Sequence, residues 1–171
     1  MYYNNTNPDP NTEKVIVLDM DGTLANLYAD PDWLEKLRAE NPAPYAEAEA
    51  MWDMTELART LEEMQVNGWR VVIVSWLSKE ASPMYAMAIR RAKREWLADW
   101  QVPWDEAHFV RYGTPKNRVI KNLPAGSWLV DDDDKVRAEW ESAKGQTIDP
   151  TATDDLPALL RKMFIPGKSA E

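Results

Sequence analysis

The chain has 171 residues, 44% of them hydrophobic and 29% charged, with a formal net charge of −9 and no cysteine. That size suits one domain with room for a small insertion, and the composition is that of a globular protein with a real core. The acidic balance argues against a surface that gathers nucleic acid by general attraction, and without cysteine there is no disulfide, no thiolate nucleophile and no sulfur-ligated zinc site.

The elements follow in chain order. Residues 1–13 are polar, lack the features of a signal peptide and read as a loose tail. "VIVLD" (15–19) predicts the first strand, and Met54, Leu57, Ala58, Leu61 and Met64 recur at helical spacing before Gly68. "RVVIVS" (70–75) predicts the second strand. Ser82 and Pro83 then cap a helix with Tyr85, Ala88, Ile89, Ala92, Trp96 and Trp100 on one side. "HFVRY" (108–112) and "SWLVD" (127–131) are the third and fourth strands, and "QTID" (146–149) is a weaker fifth. Val136, Trp140 and Ala143 mark a short helix closed by Gly145, and Leu156, Leu159, Leu160 and Met163 mark the last, with Asp154 and Asp155 before it and Arg161 and Lys162 near its end. No apolar run approaches the ~18 residues that span a bilayer, so a cytoplasmic protein with no membrane association is expected.

Near-continuous apolar strands alternating with helices predict an α/β fold, a Rossmann-like parallel sheet covered on both faces. Asp21 and Ser75 lie 54 positions apart, more than a plain crossover needs. Residues 26–67 are therefore expected to form a small helical cap and the crossover helix, with residues 14–25 and 68–165 as the core and 166–171 as a second tail.

Ligands of such sheets bind beyond the carboxyl ends of the strands. The first strand ends on Asp19 and Asp21, the second on Ser75, and the fourth on Asp131 to Asp134; Lys116 lies just beyond the third. Two carboxylates this close repel unless a cation or a phosphate chemistry uses them. Carboxylate oxygens from two strand ends suit Mg2+, and a carboxylate beside a metal can attack phosphorus. A second carboxylate can carry the proton, while a hydroxyl and an ammonium hold phosphoryl oxygens.

"DMDGTL", the serine after "VVIV", the lysine and "WLVDD" resemble the four ordered motifs of the haloacid dehalogenase (HAD) superfamily in its phosphatase branch. The resemblance covers about residues 14 to 150. It implies the HAD fold, with the cap inserted between the first and second motifs. It makes Asp19 the nucleophile, Asp21 the general acid/base, and Ser75 and Lys116 the phosphate holders. Mg2+ would be bound by the Asp19 carboxylate, the Asp21 backbone carbonyl and the acids of the fourth motif, Asp132 first and Asp131 second. The aspartate at 21 favours phosphate esters over dehalogenation. The cap placement is similar to that of 5′-deoxyribonucleotidases, and "WLEKLRAE", "PYAEAEA", "VSWLSK" and "YGTPK" resemble small members found in bacteriophage and prophage genomes. A small phosphorylated substrate is implied, a nucleoside 5′-monophosphate first. The rivals are the terminal phosphate of a nucleic acid and a binding module without turnover.

Other residues read two ways. Trp33, Trp52 and Trp76, among nine tryptophans, suit either base stacking under the cap or core packing. "RRAKRE" (90–95) reads as a solvated helix face, Asp133 and Asp134 as a solvated helix start, and His108 as structural. Arg111, Tyr112 and Asn117 flank Lys116 and are unranked candidates for substrate contact.

Overall fold

An apolar strand with no polar alternation is stable only between two covering layers. The computed structural model, which describes residues 13–165 and 167, shows this arrangement. The tails expected at 1–13 and 166–171 lie outside the described residues except for Glu13 and Gly167.

The elements run β1 (Lys14–Leu18), β2 (Ala25–Asn26), α1 (Trp33–Arg38), α2 (Ala43–Ala46), β3 (Glu49–Ala50), α3 (Met54–Val66), β4 (Trp69–Trp76), α4 (Pro83–Asp99), β5 (Glu106–Val110), β6 (Trp128–Val130), α5 (Asp134–Ser142), β7 (Gln146–Ile148) and α6 (Leu156–Phe164). The main sheet has the order β5-β4-β1-β6-β7 and every pair is parallel. In β1 the side chains divide by parity. Ile16 and Leu18 join Val71, Ile73 and Val130 under α3, α4 and α6, whereas Val15 and Val17 join Val72, Val74 and Leu129 under α5. Both faces of the central strands are thus dry, which accounts for their unbroken apolar spelling.

The topology also locates the site. From β1 the chain moves outward to β4 and β5, then returns to β6 on the other side of β1 and continues to β7. The connections leaving β1 and β6 therefore diverge, and a crevice opens at their carboxyl ends. The third strand begins two residues earlier than its apolar pattern suggests. Asp105 extends the ladder, its N–H donating to Val71 O at 2.8 Å and its Oδ2 accepting from Val71 N at 2.7 Å. Arg111 and Tyr112 consequently lie past the strand, in a turn closed by Thr114 N on Arg111 O.

The stretch between Asn26 and Asp53 holds two short helices, and the β2–β3 pair joins its two ends. It is seated on α4 by side-chain hydrogen bonds: Ser82 Oγ to Glu40 Oε2 at 2.7 Å, Tyr85 Oη to Asn41 O at 3.1 Å, and Trp96 Nε1 to Ala48 O at 2.7 Å. Trp52 belongs to packing. Its indole lies against the main core and donates to Thr23 O at 2.7 Å.

Helix α4 corrects two expectations. Ser82 accepts from Tyr85 N as the cap, and Arg91 and Glu95 pair on the exposed face as a solvated run should. Lys93, in the middle of the same run, is wholly buried. It falls four residues after Ile89 and four before Leu97, on the inward stripe. Trp100, expected on the buried side, is 42% exposed, its ring tilted against that of Trp96 at 6.2 Å.

On the other face Trp140 is 2% exposed, and its Nε1 donates to Ser127 O at 2.9 Å. Gly145 closes over that ring so tightly that a Cβ would lie 2.1 Å from Trp140 Nε1 and 3.1 Å from Ser127 O. Gly145→Ala must therefore displace a buried ring and its acceptor. It is predicted to cost about 1–3 kcal/mol, the usual range for overpacking, measured by chemical denaturation. An unchanged midpoint would mean that the ring is not confined there.

Candidate active site

Strand β1 ends by handing its ladder to Asp19, whose N–H donates to Val130 O at 3.0 Å. The chain then reverses: Met20 O accepts from Thr23, Leu24 and Ala25 N, and Gly22 N donates to Ala25 O. Gly22 has φ +81°, and a Cβ on it would lie 2.4 Å from Asp132 Oδ2. The turn needs glycine for its backbone and for the carboxylate that closes on it.

At the centre, the Lys116 ammonium donates to Asp19 Oδ1 at 2.6 Å and to Asp131 Oδ2 at 2.7 Å, and sits 5.4 Å from the centroid of the Trp76 ring. All three charged groups are buried. Asp131 is held further by Asp133 N on its Oδ1 at 3.0 Å, and Arg137 ties its backbone carbonyl to Asp149. Asp133 meanwhile caps α5, its side chain accepting from Lys135 N and Val136 N. Asp132 points back toward the turn, where the Thr23 hydroxyl approaches its Oδ1 at 3.5 Å.

Asp21 and Ser75 form a second cluster about Lys93. That ammonium donates to Asp21 Oδ2 at 2.5 Å and to Ser75 Oγ at 2.8 Å, and its charge lies 4.7 Å from the centroid of the Tyr45 ring. Six positions read from the sequence thus converge: Asp19, Asp21, Lys116, Asp131 and Asp132 line one cleft, and Ser75 lies wholly buried next to Asp21's partner. Lys93 was not foreseen. A single lysine among arginines reads as surface, and only its place on the stripe of Ile89 and Leu97 distinguishes it.

The cleft encloses about 520 Å³. The insert contributes Tyr28, Trp33, Leu34, Leu37, Arg38 and Tyr45, and the core contributes Trp76 and Tyr112. Trp76 packs against Tyr112 at 5.0 Å and Tyr28 against Trp33 at 5.1 Å, so aromatic pairs stand on two walls. Trp33 and Trp76 therefore face the cleft, unlike Trp52. His108 lies inside β5 with Nε2 2.9 Å from Glu106 Oε2, outside the cleft lining; Arg111 and Asn117 do not line it either.

Burial shapes the ionisation. Asp131 and Asp132 are each pushed up to about 6, first by burial and then by the Asp19 charge, against the pull of Lys116. Burial pushes Asp21 up too, opposed by Lys93. For Lys116 burial works downward, but Asp19 and Asp131 outweigh it and hold the ammonium above its usual range.

An oxygen from each of Asp19, Asp131 and Asp132 lies within 4.8 Å of the other two. Lys116 answers Asp19 and Asp131, and among the described residues no ion pair reaches Asp132, so this trio of carboxylates exceeds the one ammonium that it faces. Three hard oxygen donors and that charge fit a small divalent cation such as Mg2+.

The parallel sheet with its crevice beyond β1 and β6 is a Rossmann-like fold of the HAD type. Solved structures share it. A D,D-heptose 1,7-bisphosphate phosphatase from Burkholderia thailandensis aligns with TM-score 0.56 and 14% identity, over 89% of this chain and 99% of its own. Chains in structures of the Pnkp1/Rnl/Hen1 complex and of the Pnkp1/Rnl/Hen1 RNA repair complex align with TM-scores 0.53 and 0.56, both at 19% identity over 82% of this chain. The chain spans less than half the length of those two, 46% and 43%. No family model matches the sequence, and no curated protein is significantly similar to it. Among the described residues no helix is long and apolar enough to cross a membrane.

A carboxyl raised to about 6 is protonated below that pH and then cannot bind a cation. In the metal-free protein the same groups favour folding when protonated, and that contribution is lost as pH rises through 6. Mg2+ should therefore bind at least about 10-fold more weakly at pH 5 than at pH 7.5, and raise the melting temperature more at pH 7.5. Calorimetric titration and thermal melts at the two pH values test this; a pH-independent affinity would remove Asp131 and Asp132 from the cation site.

Proposed function

We propose that the chain is a Mg2+-dependent phosphomonoester hydrolase of the HAD superfamily that works through an aspartyl-phosphate on Asp19. The observation that carries this reading is the buried Asp19–Lys116–Asp131 cluster at the crevice, with Asp21 two residues beyond the nucleophile. A phosphatase sharing the fold over nearly its whole length supports it.

The chain's own groups account for the steps. Asp19 attacks phosphorus, and the bond to the ester oxygen breaks as Asp21 gives that oxygen a proton. Asp21, which burial pushes toward its protonated form, is suited to that task. It then takes a proton from the water that attacks the phosphoryl group, which frees phosphate and restores Asp19. Lys116 holds the nucleophile and, with Ser75, is assigned to the phosphoryl oxygens. Mg2+, held by Asp19, Asp131, Asp132 and the Asp21 backbone carbonyl, would neutralise the phosphoryl charge.

The substrate read from the cleft is a nucleoside 5′-monophosphate. Two aromatic pairs and Arg38 surround a volume that accommodates a base and a sugar, and aromatic faces stack bases at about 1–3 kcal/mol each. Residues 26–53 serve as a small cap in this reading, residues 14–25 and 68–165 as the core. A second reading, the terminal phosphate of an RNA, is favoured by the neighbour from an RNA repair complex. The net charge of −9 weighs against it.

Phosphate release with Mg2+ should be seen on an aryl phosphate and on nucleoside 5′-monophosphates ahead of sugar phosphates and 3′- or 5′-phosphorylated oligonucleotides. Asp19→Asn is expected to lower turnover about 1000-fold or more. A panel turned over only among sugar phosphates would exclude the nucleotide reading, and no metal-dependent release from any ester would exclude a phosphatase.

A further inference from the structure

Lys93 has no part in the chemistry assigned above, yet it is one of the largest fully buried side chains among the described residues. A buried ammonium is costly unless its donors are met, and all that meets this one belongs to or borders the site. Its three N–H groups have no acceptor capacity of their own. One donates to Asp21 Oδ2 and one to Ser75 Oγ, while the charge faces the Tyr45 ring.

We propose that Lys93 is a positioning residue that sets the hydrogen-bond polarity of Asp21 and Ser75. The proposal rests on the phosphatase reading and deepens it. An oxygen facing a donor-only ammonium at 2.5 Å cannot carry a proton toward it, so Asp21 Oδ2 is an acceptor and the proton that moves is left to Oδ1. The Ser75 oxygen likewise accepts from Lys93, which leaves its own O–H to a different acceptor. The lysine is itself fixed by α4 and the insert. It comes from the middle of α4, a helix anchored at its N-terminus by Ser82, and Tyr45 of the insert covers it. The ammonium therefore carries the geometry of the insert and of α4 into the acid/base and the hydroxyl, without touching substrate.

A positioning role differs measurably from a purely structural one. A protein that is merely less well folded loses the same fraction of activity on every ester. A misdirected acid harms alkyl esters, whose leaving oxygen needs the proton, more than aryl esters, whose oxygen leaves without it. The experiment compares wild type, Lys93→Met and Lys93→Gln on an aryl phosphate and an alkyl phosphate with Mg2+, and measures the affinity for inorganic phosphate by calorimetry. Lys93→Met is expected to lower kcat on the alkyl ester about 10- to 100-fold, with a loss on the aryl ester several-fold smaller. Phosphate affinity should fall about 3- to 10-fold, within the 1.4 kcal/mol that one tenfold step represents. In an Asp21→Asn background the alkyl-selective loss should vanish. Lys93→Gln, which keeps an N–H donor, should recover part of both effects.

Equal losses on the two esters, with phosphate affinity unchanged, would overturn the proposal. So would failure of both Lys93 variants to fold, because the ammonium would then serve folding alone. A wild type that binds phosphate and hydrolyses neither ester would overturn the phosphatase reading while the phosphate affinities still test Lys93. A wild type that does neither would overturn both.

Discussion

The structure depends on how a buried cluster of like charges is held at the end of a dry sheet. Asp19, Asp131 and Asp132 bring ligand oxygens within 4.8 Å of each other. At an effective dielectric near 20, each such pair repels by about 3 kcal/mol or more. Three pairs together rival the whole stability of an ordinary domain, about 5–15 kcal/mol. Lys116 answers two of the carboxylates at contact distance, and among the described residues no ion pair reaches Asp132. The residual charge at the crevice between β1 and β6 suits a cation.

The surrounding elements follow from that constraint. β1 and β6 must be fixed to bring Asp19 and Asp131 onto one ammonium, and their dry faces fix them. The turn after β1 must admit Asp132, which requires no side chain at residue 22. α5 starts where Asp133 can cap it, so the acidic run divides its work: the first two acids face the site and the third begins a helix. Lys93 repeats the solution at smaller scale for Asp21, and the insert closes the cleft by packing on the helix that carries it.

Much of this was legible in the sequence because the physics there is local. Strands dry on both faces spell themselves as apolar runs, and Asp19, Asp21, Ser75, Lys116 and Asp131 each sit at or just past such a run. Other parts depend on tertiary context. Lys93 was hidden because its neighbours Arg90, Arg91 and Arg94 give the segment a basic spelling, while the helical phase that buries position 93 shows only once the stripe of Ile89 and Leu97 is followed through it. The β2–β3 pair is two residues long on each side, too short for any periodicity, and exists because the ends of the insert meet. Only the structure shows where the tryptophans lie: Trp33 and Trp76 line the cleft, Trp76 also packing on the second core cluster, and Trp52 packs beneath the turn at Thr23.

The proposed hydrolysis requires that Asp19 become covalently phosphorylated. Mixing the Mg2+-loaded protein with an aryl phosphate, quenching in acid within the first turnovers and sequencing the peptides by mass spectrometry tests this directly. The predicted result is a phosphoryl group on Asp19, absent from Asp19→Asn. Turnover with the phosphoryl group on another residue, or with none on the protein at any quench time, would contradict it.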